Sequence, residues 1–274
     1  MPKVLEQKLK LNNGTQIPII GLGTYKLTDE QETYQAVLTA LKNGYRHLDT
    51  AQYYGNEVII GKAIKDSGVP RAEIFITSKI WNSDHDYEKA LKQVDEILER
   101  LQLDYLDLCL IHWPTPKRLE CYRALEEQYQ AGKLKAIGVS NFEVSHLEEL
   151  LQHCKVKPMV NQIELHPGLN NSEVLAYCRS HQIVVESWST MMQGKASEVP
   201  VIVEIAKKHN KNVGQVCLKW AIQQEIVVLP KSSHEERIIS NAQLDNFWLD
   251  DSDMYSLFTI PEQRLGPDPN NFDF

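Results

Sequence analysis

The chain has 274 residues, 42% hydrophobic and 24% charged, with a formal net charge of -8. That length supports one sizeable core, and α/β barrels of about 250 residues fold as single domains. The acidic balance excludes nucleic acid or an anionic membrane as a bulk partner, but leaves room for a local basic pocket.

Five cysteines (Cys109, Cys121, Cys154, Cys178 and Cys217) are scattered with no C-x-x-C spacing, which fits reduced thiols in a cytoplasmic protein. No secretory leader pattern and no apolar run of membrane-spanning length is visible, so neither membrane insertion nor export is expected.

In chain order, Lys8 to Ile20 reads as a hairpin about Asn13-Gly14. A compact strand follows at Ile19–Gly23. Asp29 can cap a helix that ends near Asn43-Gly44. The next strand is Arg46–Asp49, and its helix starts near Asn56 and stops at Ser67-Gly68. A strand at Ile74–Ser78 leads to a helix at Tyr87–Leu101, where Leu91, Val94, Ile97, Leu98 and Leu101 recur at helical spacing. Leu106–Ile111 is continuously apolar, as a strand buried on both faces should be.

The alternation continues with a helix at Glu120–Ala131, a strand at Lys135–Val139 and a helix at Val144–His153. Met159–Ile163, Ser172–His181 and Ile183–Ser187 read as strand, helix and strand. Two helices follow, Val201–His209 and Val213–Gln223, then a strand at Ile226–Leu229. A helix near Glu235 and another at Asp251–Leu257 precede a loop-like tail from about residue 259 to 274.

Eight β-α repeats in one chain of this length predict an α/β fold, a (β/α)8 TIM barrel with an N-terminal hairpin and extra late helices, as one domain over 1–274. A doubly wound sheet would need a third glycine after Gly21-Leu22-Gly23, and none follows.

Barrel chemistry sits at the C-terminal ends of strands. Those positions hold Asp49, Lys79, His112-Trp113, Ser140-Asn141, Gln162, Trp188-Ser189 and Lys231-Ser232. Each alone has an ordinary reading, such as a capping Asp, a surface Lys or a satisfied core His. Seven together predict a lined pocket.

Within it, Lys79 can lower the pKa of the Tyr54 phenol, Asp49 can hold Lys79, and a neutral His112 can orient a carbonyl oxygen. Such a set gives a proton to an oxygen that becomes an alcohol. There is no G-x-S-x-G and no Cys–His pair, so the carbon-side reagent must come from a cofactor. Leu229-Pro230-Lys231-Ser232-Ser233, with Arg237 and Asn241 beyond, suits a phosphate beside the last barrel strand. A solvated helix start would look much the same.

Several stretches together resemble the aldo-keto reductase family, in its bacterial form similar to 2,5-diketo-gluconate and xenobiotic-aldehyde reductases. They are Asp49 to Glu57, Ser78-Lys79-Ile80-Trp81-Asn82, Ile111-His112-Trp113-Pro114, Gly138 to Phe142, Asn161 to Pro167, Leu229 to Ser232, and the ending Gly266 to Phe272. The resemblance implies NADPH/NADP+ as cofactor, a small-molecule carbonyl as substrate (aldehydes, keto-sugars, dicarbonyls), a monomer, and a tetrad of Asp49, Tyr54, Lys79 and His112 with Tyr54 as general acid. Carboxamide contacts fall on Ser140, Asn141 and Gln162, and nicotinamide stacking on Trp188. The remaining cofactor contacts fall on Ser189, Lys231, Ser232, Ser233, Arg237 and Asn241. Tyr25, Trp81, Trp113 and Phe272 would wall an open pocket, while Tyr53 is one position short of the family spacing.

One departure stands out. Relatives read Trp-Ser-Pro-Leu after strand seven, and this chain reads Trp188-Ser189-Thr190-Met191, which predicts a looser loop. Three competing readings are a metal-dependent hydrolase built on His47, Asp49, His112 and His166, a non-enzymatic cofactor-binding protein, and an NADH-preferring enzyme. The absence of a His-x-His pair on strand one argues against the first, the intact tetrad against the second and Lys231 with Arg237 against the third.

Overall fold

The structure, a computed structural model, describes residues 3–274. Strands β1 (Lys8–Lys10) and β2 (Gln16–Pro18) form the expected antiparallel hairpin. Gly14 takes φ 91° and Thr15 N donates to Asn13 Oδ1, which is the turn chemistry that Asn-Gly supplies. The hairpin lies over the N-terminal end of the barrel, where Asn12 Nδ2 donates to Pro158 O and Asn13 Nδ2 to Lys135 O.

Eight parallel strands follow: β3 (Leu22–Gly23), β4 (His47–Asp49), β5 (Phe75–Ile80), β6 (Leu108–Ile111), β7 (Ile137–Ser140), β8 (Val160–Glu164), β9 (Val184–Trp188) and β10 (Val227–Val228). Each pairs with its sequence neighbour. The two ends then meet. Ile20 bridges Val228 in parallel, Gly21 N donates to Val228 O at 2.9 Å, and Gly23 N donates to Pro230 O at 3.2 Å. Sequential parallel order with a closed seam is the (β/α)8 barrel.

The first barrel strand is regular only at Leu22–Gly23, shorter than the expected Ile19–Gly23. The seam is crowded there: a Cβ on Gly21 would stand 2.8 Å from the His47 ring and 2.9 Å from Leu229. The sixth strand starts at Leu108, two residues late, because Ile76 N takes the Asp107 carboxylate as its acceptor at 2.9 Å.

Helices α1 (Glu30–Lys42), α2 (Glu57–Asp66), α3 (Tyr87–Leu101), α4 (Arg118–Gln130), α5 (Val144–His153) and α6 (Ser172–Ser180) cover the outside. Asp29 caps α1 as expected, its carboxylate accepting from Glu32 N at 2.8 Å. On α3 the predicted stripe is buried at Val94, Ile97, Leu98 and Leu101. The late chain adds a 3-10 segment at Met192–Glu198, then α7 (Pro200–His209), α8 (Val213–Ile222), α9 (Glu235–Asn241) and α10 (Asp251–Phe258). Among the described residues no helix is long and apolar enough to cross a membrane. All five cysteines are free, four of them buried.

Along each strand alternate side chains point inward. The buried interior is therefore apolar in part, but near the C-terminal ends it is filled by His47, Asp49, Lys79, Gln162 and Glu186, all under 5% exposed. Those polar residues are the floor of the site.

Candidate active site

Asp49 ends β4 and Lys79 lies near the end of the neighbouring β5. Lys79 is fully buried, and burial alone would strip its charge. Its ammonium is instead saturated. Nζ donates to Asp49 Oδ1 at 2.6 Å, to Asp49 Oδ2 at 2.8 Å and to Thr50 O at 2.9 Å. Burial is the largest single effect and lowers its pKa, but Asp49, Tyr54 and Glu186 together outweigh it, so Lys79 holds its proton more tightly than an ordinary lysine.

The chain turns sharply after Asp49. A 3-10 turn spans Gln52–Tyr54, and Gly55 follows in the left-handed region at φ 66°. Asn56 fixes the turn from below, accepting from Thr50 Oγ1 and donating to the carbonyls of Thr24 and Leu27. The turn carries Tyr54 back over the strand ends, with its hydroxyl 3.4 Å from Lys79 Nζ.

Burial pushes the Tyr54 phenol up to about 12, while Lys79 pulls it down and Asp49 adds to the rise. The lowering expected from Lys79 is present, and the net shift is nevertheless upward for the protein by itself. The ammonium acts in the predicted direction, but desolvation is larger.

His112 follows β6 and faces Tyr54 edge to face, ring centroids 5.8 Å apart. Burial first, then Lys79 and His85, hold its pKa far below the ordinary value, so the ring is neutral. Its Nδ1 is buried without a hydrogen-bond partner among the described residues. The four residues that sequence reasoning placed at separate strand ends stand together.

A second group adjoins them. Ser140 Oγ donates to Gln162 O at 2.8 Å, and Asn141 Nδ2 donates to His112 O at 2.9 Å. Asn141 takes φ 64°, a conformation asparagine tolerates better than most residues, and its Oδ1 accepts from Trp188 Nε1 at 2.8 Å. Gln162 Nε2 reaches inward to Asp49 Oδ2 at 2.9 Å. Ser140, Asn141, Gln162 and Trp188 therefore form one continuous shelf beside the tetrad.

Ser189 begins the next loop at φ 56° and accepts from Gln193 Nε2. The predicted looseness of that loop is not what its contacts show. Thr190 is buried, its hydroxyl 2.6 Å from Ser187 Oγ and donating to Ser187 O at 3.2 Å. A side-chain clasp therefore stands at Thr190.

Lys231, Ser232 and Ser233 follow β10, and Arg237 and Asn241 sit on α9. Ser232 and Asn241 are buried. Lys231 and Arg237 are exposed and make no ion pair among the described residues. That leaves two unspent cations beside a strand end.

The walls are aromatic. Tyr25 lies 5.1 Å from Tyr54, and Trp81 lies 5.0 Å from His112. Phe272 packs on Trp113 at 5.1 Å. Sequence reasoning gave Tyr53 a supporting place at most and missed Phe274 and Glu164. Tyr53 stacks on Trp81 at 4.0 Å, and Phe274 stacks on the same indole at 5.8 Å. Glu164 anchors the tail, accepting from Leu265 N at 2.7 Å and Gly266 N at 3.0 Å. Gly266 is required there, because a Cβ would strike the Trp188 ring.

His47 is turned into the barrel, with Nε2 3.0 Å from Thr77 Oγ1. Among the described residues, no three His, Cys, Asp or Glu side chains gather into a metal-holding cluster.

The model of the "Aldo/keto reductase family" matches residues 19–260. Glyoxal reductase of Bacillus subtilis (strain 168) is 49% identical, with 100% of both chains covered. Glycerol 2-dehydrogenase (NADP(+)) of Saccharomyces cerevisiae is 42% identical over 96% of this chain and 95% of its own. Among solved structures, an aldo-keto reductase enzyme from a Medee basin deep-sea metagenome library superposes with a TM-score of 0.95 at 44% identity, covering 97% of this chain and 100% of its own.

Proposed function

The chain belongs to the aldo/keto reductase family, and from that premise we propose that it reduces small aldehydes and ketones to alcohols with NADPH, Tyr54 giving its proton to the carbonyl oxygen. One observation carries the reading. A single buried ammonium, Lys79 Nζ, lies within hydrogen-bond reach of both the Asp49 carboxylate and the Tyr54 hydroxyl.

The chemistry follows from that placement. As the Tyr54 hydroxyl releases its proton, the phenolate left behind faces a fixed positive charge 3.4 Å away. Asp49 keeps that charge in position. The neutral His112 ring can donate one N–H to the same carbonyl oxygen and hold it near Tyr54.

The residues present fit a dinucleotide carrying an extra phosphate. The unpaired Lys231 and Arg237, with the hydroxyls of Ser232 and Ser233 and the amide of Asn241, would hold the phosphate end and its base. The shelf of Ser140, Asn141 and Gln162 would take the carboxamide, with Trp188 against the ring and Ser189 in the loop between. Bound there, the reduced nicotinamide supplies the hydride.

Tyr25, Tyr53, Trp81, Trp113, Phe272 and Phe274 would admit small carbonyls with little selection among them. The relative named glyoxal reductase makes a small dicarbonyl the first substrate to assay.

The test is NADPH oxidation against aldehydes, ketones, keto-sugars and dicarbonyls, with Tyr54→Phe as control. The variant should lose about 10²-fold or more of turnover while still binding NADPH. Turnover like the wild type would defeat the role given to Tyr54, and equal kcat/KM with NADH would defeat the choice of cofactor.

A further inference from the structure

Glu186 lies in the middle of β9, inside the barrel, and the mechanism above does not use it. Its side chain is 0% exposed. Gln162 Nε2 donates to Glu186 Oε2 at 2.9 Å and to Asp49 Oδ2 at the same distance. One amide thus spans two carboxyl groups, and only one of them touches Lys79.

The other Glu186 oxygen, Oε1, has no hydrogen-bond partner among the described residues. His47 Nε2 stands 3.8 Å from it and faces Thr77 Oγ1 at 3.0 Å. The groups around Glu186 are Asp49 and His47 from β4, Lys79 from β5 and the uncharged Gln162 from β8. Burial holds His47 neutral, its pKa lowered to about 3. Lys79 is already committed to Asp49. A carboxylate at Glu186 would be a buried anion with no cation of its own, a costly arrangement that a bound proton relieves.

We propose that Glu186 is a positioning residue that carries a proton while the enzyme reduces carbonyls, and that losing this proton weakens Tyr54 as an acid. The link between the two groups is electrostatic and rests on the role given to Tyr54 above. With Glu186 neutral, the barrel floor holds one ammonium and one carboxylate. When Glu186 ionises, its proton passes to solvent and a second carboxylate joins the same cage. The added negative charge offsets Lys79 and disfavours the Tyr54 phenolate, so proton delivery slows. Gln162 is drawn in as well, because each N–H of its amide then meets a carboxylate.

Burial, reinforced by Asp49 and opposed by Gln162 and Lys79, places the Glu186 ionisation at about 8. Carboxyl-carbon NMR on the full-length protein with isotope-labelled glutamate reads it directly. One Glu signal should titrate near about 8, and its absence would overturn the proposal.

The kinetic arm compares pH profiles of the wild type and Glu186→Gln. The ratio of variant to wild-type kcat should rise by about tenfold between roughly pH 7 and 9, because only the wild type acquires the extra charge. A merely structural role would lower the variant equally at every pH, and superimposable profile shapes would overturn the proposal. Tyr54→Phe keeps the two readings apart. If Tyr54→Phe is inactive and the profiles coincide, only the Glu186 proposal fails. Wild-type-like turnover in Tyr54→Phe would remove the role of Tyr54, and with it the link from Glu186 to catalysis.

Discussion

Lys79 Nζ sits 2.6 Å from Asp49 Oδ1, and the two side chains are 0% and 6% exposed. A pair this deep is held by mutual attraction against a large desolvation penalty, so breaking it from one side is worse than never having it. Asp49→Ala should destabilise the protein by about 3–5 kcal/mol in urea unfolding. Lys79→Met combined with Asp49→Leu should recover much of that loss while remaining inactive. Equal destabilisation of the single and double variants would contradict the account.

The pH dependence of stability follows from groups inside the barrel. Burial lowers His47 to about 3 and His85 to about 4, and puts His112 far below the ordinary 6.5. At these three sites the unfolded chain binds more protons than the folded one below about 6.5, and their contribution to stability is lost as pH drops through that range. Glu186 acts in the opposite sense. Its pKa is raised from 4.5 to about 8, so the folded state holds the extra proton and stability falls as pH rises between those values. Above about 6.5 these imidazoles are neutral in both states while Glu186 still holds its extra proton when folded, so stability should decline from about pH 6.5 toward 8. Glu186→Gln should flatten the decline toward pH 8, on the order of 2–4 kcal/mol. Thermal melts across pH 5 to about 9 measure both limbs. A variant that declines as steeply as the wild type would show that Glu186 is not the group responsible.

The tetrad was legible because each member stands at a position the barrel defines. Asp49 and Lys79 close strands, and Tyr54 sits in the turn that Gly55 allows. The residues proposed for the phosphate end were visible in the same way, as a polar run after the last strand. Glu186 left a weaker signal, an acid within the apolar strand Ile183–Ser187 and on the same face as Trp188. Its meaning needs the Gln162 amide between it and Asp49, a contact joining residues 113 positions apart. Phe274 on Trp81 is a contact of the same kind, since local periodicity does not report which strand end a tail will cross. The net pKa of Tyr54 could not be read from residue types either. It is a balance between depth of burial and one charge, and depth belongs to the folded state.

Glu164 is one of the tail's anchors, beside the Arg264–Glu143 ion pair, Gln263 N donating to Gly168 O and Asn82 Nδ2 donating to Phe274 O. Glu164 accepts from two successive backbone amides, Leu265 and Gly266, and also lies 3.2 Å from His166 Nε2. Glu164→Ala should free the segment that places Phe272 and Phe274 against Trp113 and Trp81. Limited proteolysis should then cut near residue 265 at least about tenfold faster, since cleavage follows the population of the open form. KM for small carbonyls should rise more than kcat falls, because the wall is lost while the tetrad stays in place. An unchanged cleavage rate would mean that the other anchors and the aromatic contacts hold the tail without Glu164.

Lys231 distinguishes a phosphate contact from a general surface charge. It is exposed, lacks an ion-pair partner among the described residues, and stands beside the buried Ser232. A charge-assisted hydrogen bond contributes about 1.5–3 kcal/mol. Lys231→Met should therefore weaken NADPH binding by about 10- to 100-fold, since each 1.4 kcal/mol is a factor of ten. NADH lacks the extra phosphate, so its affinity should change by less than about threefold. Raising the salt from about 0.05 to 0.5 M should narrow the NADPH preference proposed for the wild type, because an exposed contact is screened within a few ångströms at high salt. Calorimetric titration of both cofactors into both proteins measures all four affinities. An equal loss for NADPH and NADH would place Lys231 on a part common to the two dinucleotides and remove it from cofactor discrimination.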